Sequence, residues 1–359
     1  RDFTVNAMAF DRRGHLYDPF GGRQDLAQRI LRAVGDPDER FREDALRPFR
    51  ACRFVAEYGF TVEEKTRAAA VRVHDRVAGL SVERIRDELE RILVSPYPAK
   101  GFALLKEMGL LETRCRARTA GKDETVPVLP ELARLHGLPQ SPRYHTHDVW
   151  THTMLVVEAI PAEITLRWAA LLHDIAKGIP GVRNLNRRGE VCDYRHEQVG
   201  SVMAQEVLTR LRVGATSAQR IVWLIRHHMN FPPAREEKVL KWLRRLAAEL
   251  KDREDLESAV AQLLILREAD LRGGKVRPEE RLAENDRLRI LAAGLIRRLP
   301  FYQTDLALSG RTVAHYLGEG PQVKRALDEL LRRVQDGNLP NEASALEDAL
   351  RRMVRKNLG

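Results

Sequence analysis

The residues of this chain best equipped for chemistry are scattered imidazoles and carboxylates: His152, the adjacent His173-Asp174 pair, His196, His227-His228 and Asp270. Such donors suit Mn, Fe, Co, Ni or Zn in a five- or six-coordinate site. The His173-Asp174 pair follows the apolar run Leu166-Arg167-Trp168-Ala169-Ala170-Leu171-Leu172. Neighbouring residues on a helix diverge by about 100°, so the two can serve one ion only where other helices close the site around them. The competing reading is a set of packing histidines. A His-Asp pair buried in an apolar helix is costly unless a metal or hydrogen bonds compensate it, and that favours a metal. His145 and His147 lie close to His152, and spacing alone leaves the register open.

Asp44 and Arg47 form a second pair, three apart in Glu43-Asp44-Ala45-Leu46-Arg47, which on a helix puts both on one face. A carboxylate accepts hydrogen bonds and a guanidinium donates them, so together they match a base edge with an amino group beside a bare ring nitrogen. Cytosine and adenine offer that edge, whereas uracil and guanine place a carbonyl where the amino group belongs. The ordinary alternative is a surface ion pair.

The elements that must position these residues are mainly helical. Only the first twenty residues alternate, with Phe3, Val5, Ala7 and Ala9 opposite Thr4, Asn6 and Met8, and a turn at Asp11-Arg12-Arg13-Gly14 before His15-Leu16-Tyr17-Asp18. This predicts a hairpin and the only sheet. Helical spacing begins at Gln24; Asp36-Pro37 breaks the first helix, and Glu43 to Tyr58 forms the next. Thr61-Val62-Glu63-Glu64 predicts a capping box. Ser81 predicts the cap of a helix with Val82, Ile85, Leu89, Ile92 and Leu93 on one face. Residues 114–145, rich in Arg, Pro, Thr and Gly, predict a linker.

A length of 359 residues implies two or three units. Hydrophobic residues at 43% and charged residues at 31% exclude a largely disordered chain, and aromatics at 6% argue against a β-sandwich. No apolar run reaches the roughly 18 residues of a membrane span. Arg1-Asp2-Phe3-Thr4 has no apolar leader and reads as a cut inside a domain. The three cysteines are far apart, which implies neither a disulfide framework nor a cysteine zinc site and fits a reducing cytoplasm. Lys and Arg outnumber Asp and Glu by 61 to 51, a net +10 that suits a polyanionic partner, although an Arg-rich composition also follows from a GC-rich genome.

The ordered series Arg1-Asp2-Phe3-Thr4-Val5-Asn6-Ala7, Asp18-Pro19-Phe20-Gly21-Gly22, Gly35-Asp36-Pro37, Glu43 to Arg47, Arg50-Ala51-Cys52-Arg53-Phe54 and Gly59-Phe60 resembles the class II tRNA nucleotidyltransferases, the CCA-adding enzymes, and bacterial poly(A) polymerases. Leu129-Pro130-Glu131-Leu132, Gly137-Leu138-Pro139-Gln140 and Asp148-Val149-Trp150-Thr151-His152-Thr153 extend the resemblance to members with an HD domain. It implies a mainly α chain with a small hairpin remnant of an α/β nucleotidyltransferase head (1–35). A helical neck with the base template (36–113), a linker (114–145), an HD domain (146–275) and a helical RNA-binding tail (276–359) follow. Arg1, Asp2 and Asn6 then contact the ribose and phosphates of the incoming nucleotide. Asp44 and Arg47 template the base, Glu43 steadies Arg47, and Arg50 and Arg53 approach the triphosphate. The implied partners are CTP, ATP and the tRNA 3′ end, with Mg for nucleotidyl transfer and neither a membrane nor a protein partner. The family's Gly-Ser turn and paired metal-binding carboxylates, which precede the Arg-Asp-Phe element, are absent from these residues, so this chain alone is expected not to add nucleotides.

The histidine series likewise resembles the HD phosphohydrolase superfamily. The resemblance implies His152, His173, Asp174 and Asp270 as metal ligands, with His173 and Asp174 at the catalytic centre. It also implies His196 and His228 as ligands of a second metal or the substrate phosphate, and Mn, Co or Ni as the ion. The chemistry implied is hydrolysis of 2′,3′-cyclic phosphates and phosphomonoesters. Ser309-Gly310-Arg311-Thr312 departs from the acidic element usual in the tail. The rival readings are a freestanding HD phosphohydrolase, a poly(A) polymerase and a catalytically silent RNA-binding module.

Overall fold

Apolar residues at helical spacing fill most of this chain, and the computed structural model, which describes residues 1–119, 121–143, 145–274 and 278–357, is accordingly built of helices with four two-stranded sheets. The chain divides into two compact units. Arg1–Met229 with Ile265–Pro278 forms one, and Asn230–Leu264 with Glu279–Gly359 forms the other.

The predicted N-terminal hairpin is shorter than the alternation implied: Ala9–Phe10 pairs antiparallel with Leu16–Tyr17, while Thr4–Asn6 is a 3-10 turn. Polar bonds override the alternation there. Asn6 Oδ1 accepts from Phe3 N at 3.1 Å, and the buried Thr4 hydroxyl donates to Asp25 Oδ2 at 2.7 Å. Nor is this the only sheet. Ile30–Leu31 runs parallel to Thr61–Val62, so Thr61 lies in a strand, and the next helix, Glu64–Val71, is capped by Glu63, whose carboxylate accepts from Thr66 N at 3.1 Å. The first helix, Gly22–Gln28, ends at the left-handed Arg29 and not at Asp36-Pro37, and Asp36 instead caps Pro37–Glu43. Ser81 stands at the N-cap of Val82–Leu93 without a side-chain bond to it.

The stretch expected to be a linker contains a six-residue hairpin, Arg114–Thr119 with Lys122–Pro127. Cys115 and Ala117 are buried while Arg114, Arg116 and Arg118 face out, a period of two carried by small residues rather than β-branched ones. The fourth sheet pairs Arg183–Leu185 with Val191–Asp193.

The neck core gathers Phe41, Phe49, Cys52, Ile85, Leu89, Ile92, Phe102 and Leu105, all fully buried. Helix Pro98–Glu107 crosses Arg47–Tyr58 and Val82–Leu93 at Gly101, where a methyl group would lie 2.7 Å from Ile92 Cγ2 and 2.9 Å from Ala56 Cβ. Gly101→Ala is therefore expected to destabilise the fold by about 1–3 kcal/mol through overpacking. A thermal unfolding midpoint equal to wild type would contradict this.

In the second unit, Leu306, Leu308, Val313, Leu327, Leu330, Leu346 and Leu350 form a core among helices Gly310–Leu317, Pro321–Gln335 and Ala343–Asn357. Helix Pro321–Gln335 buries the face that carries Ala326, Leu327, Leu330 and Val334. Ser309 has a local role, capping Gly310–Leu317 by accepting from Thr312 N at 3.2 Å. Among the described residues no helix is long and apolar enough to cross a membrane.

Candidate functional site

Two polar assemblies stand out in the first unit. The first surrounds Arg47. The segment from Glu43 to Arg47 is not one helix: Pro37–Glu43 ends, Asp44 is extended (φ −147°), and a new helix starts at Arg47. Pro48 accounts for the restart, since proline lacks an N–H and fits the first turn. Asp44 Oδ1 accepts from Leu46 N at 3.1 Å, which folds the connection back. Asp44 and Arg47 thus adjoin through a helix break rather than a shared helical face.

Arg47 is nearly buried and tightly held. Its Nε donates to Asp2 Oδ1 at 2.9 Å, and its Nη1 donates to Glu43 Oε2 at 2.7 Å and to the Arg40 carbonyl. Arg50 Nη2 meets the other Asp2 oxygen at 2.8 Å. Among the described residues Nη2 of Arg47 carries no hydrogen bond, and it is the donor left for a ligand. Asp44 Oδ2 accepts from Arg84 Nη2 at 3.0 Å. Arg84 carries no signal of this in the sequence, where it is one more polar residue on an amphipathic helix. Arg1 is exposed, and Asn6 caps Phe3 N. Arg53 departs from expectation. It is 4% exposed, its Nε donates to Glu88 at 2.7 Å and its Nη1 to Glu57 at 2.9 Å, which makes it a strut of the neck rather than a phosphate-facing group.

The second assembly is the histidine cluster. Helix Ile164–Leu172 ends before the doublet, so His173 sits at its C-cap and Asp174 lies in the turn that follows. Arg134 holds that turn by donating to the carbonyls of Ile175 at 2.6 Å and Lys177 at 2.7 Å. His152 projects from Val149–Ala159, a helix capped by Asp148, and Asp270 comes from Arg253–Gly273. Asp270 Oδ1 is 3.0 Å from His152 Nε2 and 3.9 Å from His173 Nε2. His196 opens helix His196–Arg210, and His228 ends Ala215–His227.

These side chains converge on Asp174. Its Oδ2 lies 3.2 Å from His173 Nε2 and 3.8 Å from His152 Nε2, and its Oδ1 lies 3.3 Å from His196 Nε2, which is in turn 3.3 Å from His228 Nε2. Two groups able to hold a metal result: His152, His173 and Asp174, and Asp174, His196 and His228, all buried. The backbone orients every ring. Nδ1 of His173, His196 and His228 lies 2.7–2.8 Å from the carbonyls of Ala170, Asp193 and Ile225, and Nδ1 of His152 lies 3.2 Å from that of Gly273. A carbonyl only accepts, so each Nδ1 donates to it, and each Nε2 is turned inward, where a metal ion would take its lone pair. Those of His152, His173 and His196 now face the carboxylates of Asp270 and Asp174 in its place. Gly273 matters because a Cβ there would lie 2.9 Å from His152 Nδ1.

The electrostatics differ across the cluster: burial pushes the His173 imidazole down, but Asp174 outweighs it and holds it above its usual value, so a cation bound there would displace a proton. Burial pushes the Asp174 carboxyl up, but His173 and Lys177 outweigh it and hold it well below the usual range. Burial, with His196 and His173 alongside, pushes His228 down to about 3, so it is a neutral donor. Lys177, which the sequence suggests is an exposed helix-end lysine, is 8% exposed and pairs with Asp174 Oδ2 at 2.7 Å and Gln140 Oε1 at 2.8 Å. Two carboxylates against one ammonium leave the pocket able to neutralise a cation. His145 stacks edge-on against His152 at 5.0 Å outside both donor groups, and His227 packs on Trp223. Of the neighbouring histidines, it is His152 whose ring joins a donor group.

Comparison with known proteins places these sites in context. Residues 1–32 match the model described as the poly A polymerase head domain, 59–114 that of a probable RNA and SrmB-binding site of polymerase A, and 143–293 the HD domain. An A-adding tRNA nucleotidyltransferase of Deinococcus radiodurans is 35% identical over 96% of this chain and 76% of its own length. The chain belongs to the tRNA nucleotidyltransferase family. A multifunctional CCA protein of Aromatoleum aromaticum is 37% identical over 64% of the chain, and the match spans 52% of that relative, about half its length. The crystal structure of the Bacillus stearothermophilus CCA-adding enzyme in complex with CTP superposes with a TM-score of 0.64 at 27% identity, covering 99% of this chain and 73% of that one. Nucleotidyltransferases of this family and HD domains depend on metals, and the His/Asp groups described above could hold one.

Proposed function

We propose that this chain supplies the base-selecting neck and the RNA-holding body of a cytoplasmic tRNA nucleotidyltransferase that adds C, A or both to the tRNA 3′ end from CTP and ATP. The observation that carries this reading is the clamp on Arg47. Asp2, Glu43 and the Arg40 carbonyl fix its guanidinium while Nη2 remains for a ligand beside Asp44. An arginine held by three acceptors is pre-organised to read a base edge, which a mobile surface ion pair is not. Asp2 ties the segment expected to meet ribose and phosphate to the base template, and its second bond orients Arg50 toward the same place. Mg would supply charge neutralisation at the triphosphate in the transfer step.

The HD cluster supports a second activity, phosphoester hydrolysis at RNA ends, with Mn, Co or Ni held by His152, His173, Asp174 and Asp270, and with His196 and His228 contacting a second ion or the substrate phosphate. A divalent ion there would supply water activation and charge neutralisation at the phosphoryl group. The protein's own part is to hold His152 and His173 in one buried group and His196 and His228 in another, with the Asp174 carboxylate shared between them.

The test is incorporation of labelled nucleotides into tRNA lacking its 3′ terminal residues, by the whole protein to which these residues belong. Incorporation of C or A with Mg, lost on chelation and not seen with UTP or GTP, is the expected result. The 359 residues alone are expected to give none. Failure of the whole protein to use either CTP or ATP overturns the reading.

A further inference from the structure

The four inward-facing histidines are not oriented by equivalent means. Ala170 and Ile225, the acceptors for His173 and His228, lie in helices whose own ladders fix their carbonyls. Gly273 ends a helix of 21 residues. The acceptor for His196 is different. Asp193 lies outside any helix, at the end of the strand Val191–Asp193, and its carbonyl takes the His196 Nδ1 proton at 2.8 Å across Tyr194 and Arg195. Arg195 has a left-handed backbone (φ 58°), a conformation that side chains other than glycine resist. The strand pair holds the Asp193–Tyr194 peptide, with Tyr194 N donating to the Val182 carbonyl at 3.0 Å, but it does not itself reach the turn bearing Asp174.

The Asp193 side chain does. Its Oδ1 accepts from Gly178 N at 2.9 Å and from Arg183 Nε at 3.0 Å, and its Oδ2 accepts from Arg183 Nη2 at 2.8 Å, a two-pronged fork. Gly178 closes the turn that carries His173, Asp174 and Lys177, so one carboxylate pins the His196 acceptor to the loop bearing the shared ligand. Resting on the metal reading of the cluster given above, we infer that Asp193 is a positioning residue: through its carbonyl it fixes the tautomer and direction of His196, and through its carboxylate it holds the His196 half of the cluster in register with Asp174.

The experiment follows the ring nitrogens of the isotope-labelled chain by NMR at alkaline pH, where the imidazoles are neutral, together with Mn²⁺ binding. In wild type His196 is expected as a single Nδ1–H tautomer. Asp193→Ala should convert it to a mixture while His173 and His228 keep theirs, and should weaken Mn²⁺ binding by about 10–100-fold, the usual effect of losing an outer-shell partner. Arg183→Gln, which removes the fork but keeps the Asp193 bond to Gly178 N, should move His196 in the same direction by less, and it decides the matter if Asp193→Ala does not fold. An unchanged His196 tautomer in the folded variant overturns the inference. Wild type that binds no Mn²⁺ would count against the metal reading instead, and the tautomer result is judged independently of it.

Discussion

Replacing Asp174 by alanine is expected to abolish both divalent-metal binding and hydrolysis of a 2′,3′-cyclic nucleotide. Asp174 is the one side chain shared by both donor groups, so its loss reduces each from three donors to two. It also strips Lys177 Nζ of its carboxylate while the lysine stays buried against Gln140. Breaking a buried ion pair by removing one partner typically costs about 3–5 kcal/mol, so an inactive alanine variant could owe its inactivity to unfolding. Asp174→Asn separates the two effects: it keeps the volume and an oxygen for Lys177 but loses the charge a divalent ion needs. The expected result is a folded protein that takes up no Mn, Co or Ni, whereas Arg311→Ala in the tail leaves metal content and hydrolysis intact. Because neutral imidazole is the ligand form, protons compete with the ion. Wild-type affinity should fall as pH drops through the range in which His173, pushed down by burial but held above its usual value by Asp174, gains its proton, while His228 stays neutral. Retention of metal by folded Asp174→Asn would show that Asp174 is not a required ligand, and wild type that takes up no metal would reduce the cluster to packing.

Much of this site is legible in the sequence, because rare residue types in order along a chain carry chemical meaning. His152, His173, Asp174, His196 and His228 gather in two buried groups, while Asp270 lies 3.0 Å from His152 but outside both. What a sequence does not display is that backbone atoms orient them. The carbonyls of Gly273, Ala170, Asp193 and Ile225 have no letter of their own, and neither does the Arg40 carbonyl that holds Arg47. Lys177 resembles a solvated lysine since its burial depends on Gln140, distant in the chain. The hairpin at 114–127 is hidden because its inward positions are Cys115 and Ala117, too small to raise a strand signal. Arg53 shows the reverse error. Its position among arginines points outward to phosphate, yet Glu57 and Glu88 draw it inward. Periodicity reports which face is apolar, whereas the partner of a buried charge depends on tertiary contacts.

Arg47→Ala, made in the whole protein, is expected to impair the choice of C and A over U and G far more than it impairs tRNA binding. The break between Pro37–Glu43 and Arg47–Tyr58 sharpens that expectation. An Asp and Arg on one continuous helix would mainly neutralise each other, whereas here Asp44 turns to Leu46 N and Arg84 while Arg47 is engaged by Asp2 and Glu43. The two are therefore not each other's partner, and each is held by other groups of the fold. A bidentate contact with a base edge is worth about 1–3 kcal/mol of discrimination, roughly one to two orders of magnitude in the ratio of incorporation rates. Asp44→Ala should lower the same ratio by removing the acceptor for the exocyclic amino group. Asp2→Ala should act through Arg47 and Arg50 together, weakening nucleotide binding as well as selection. The measurement is kcat/KM for CTP, ATP, UTP and GTP beside the Kd for tRNA. Equal losses for all four nucleotides, or an unchanged ratio with folded Arg47→Ala, would show that Arg47 holds the neck together and does not read the base.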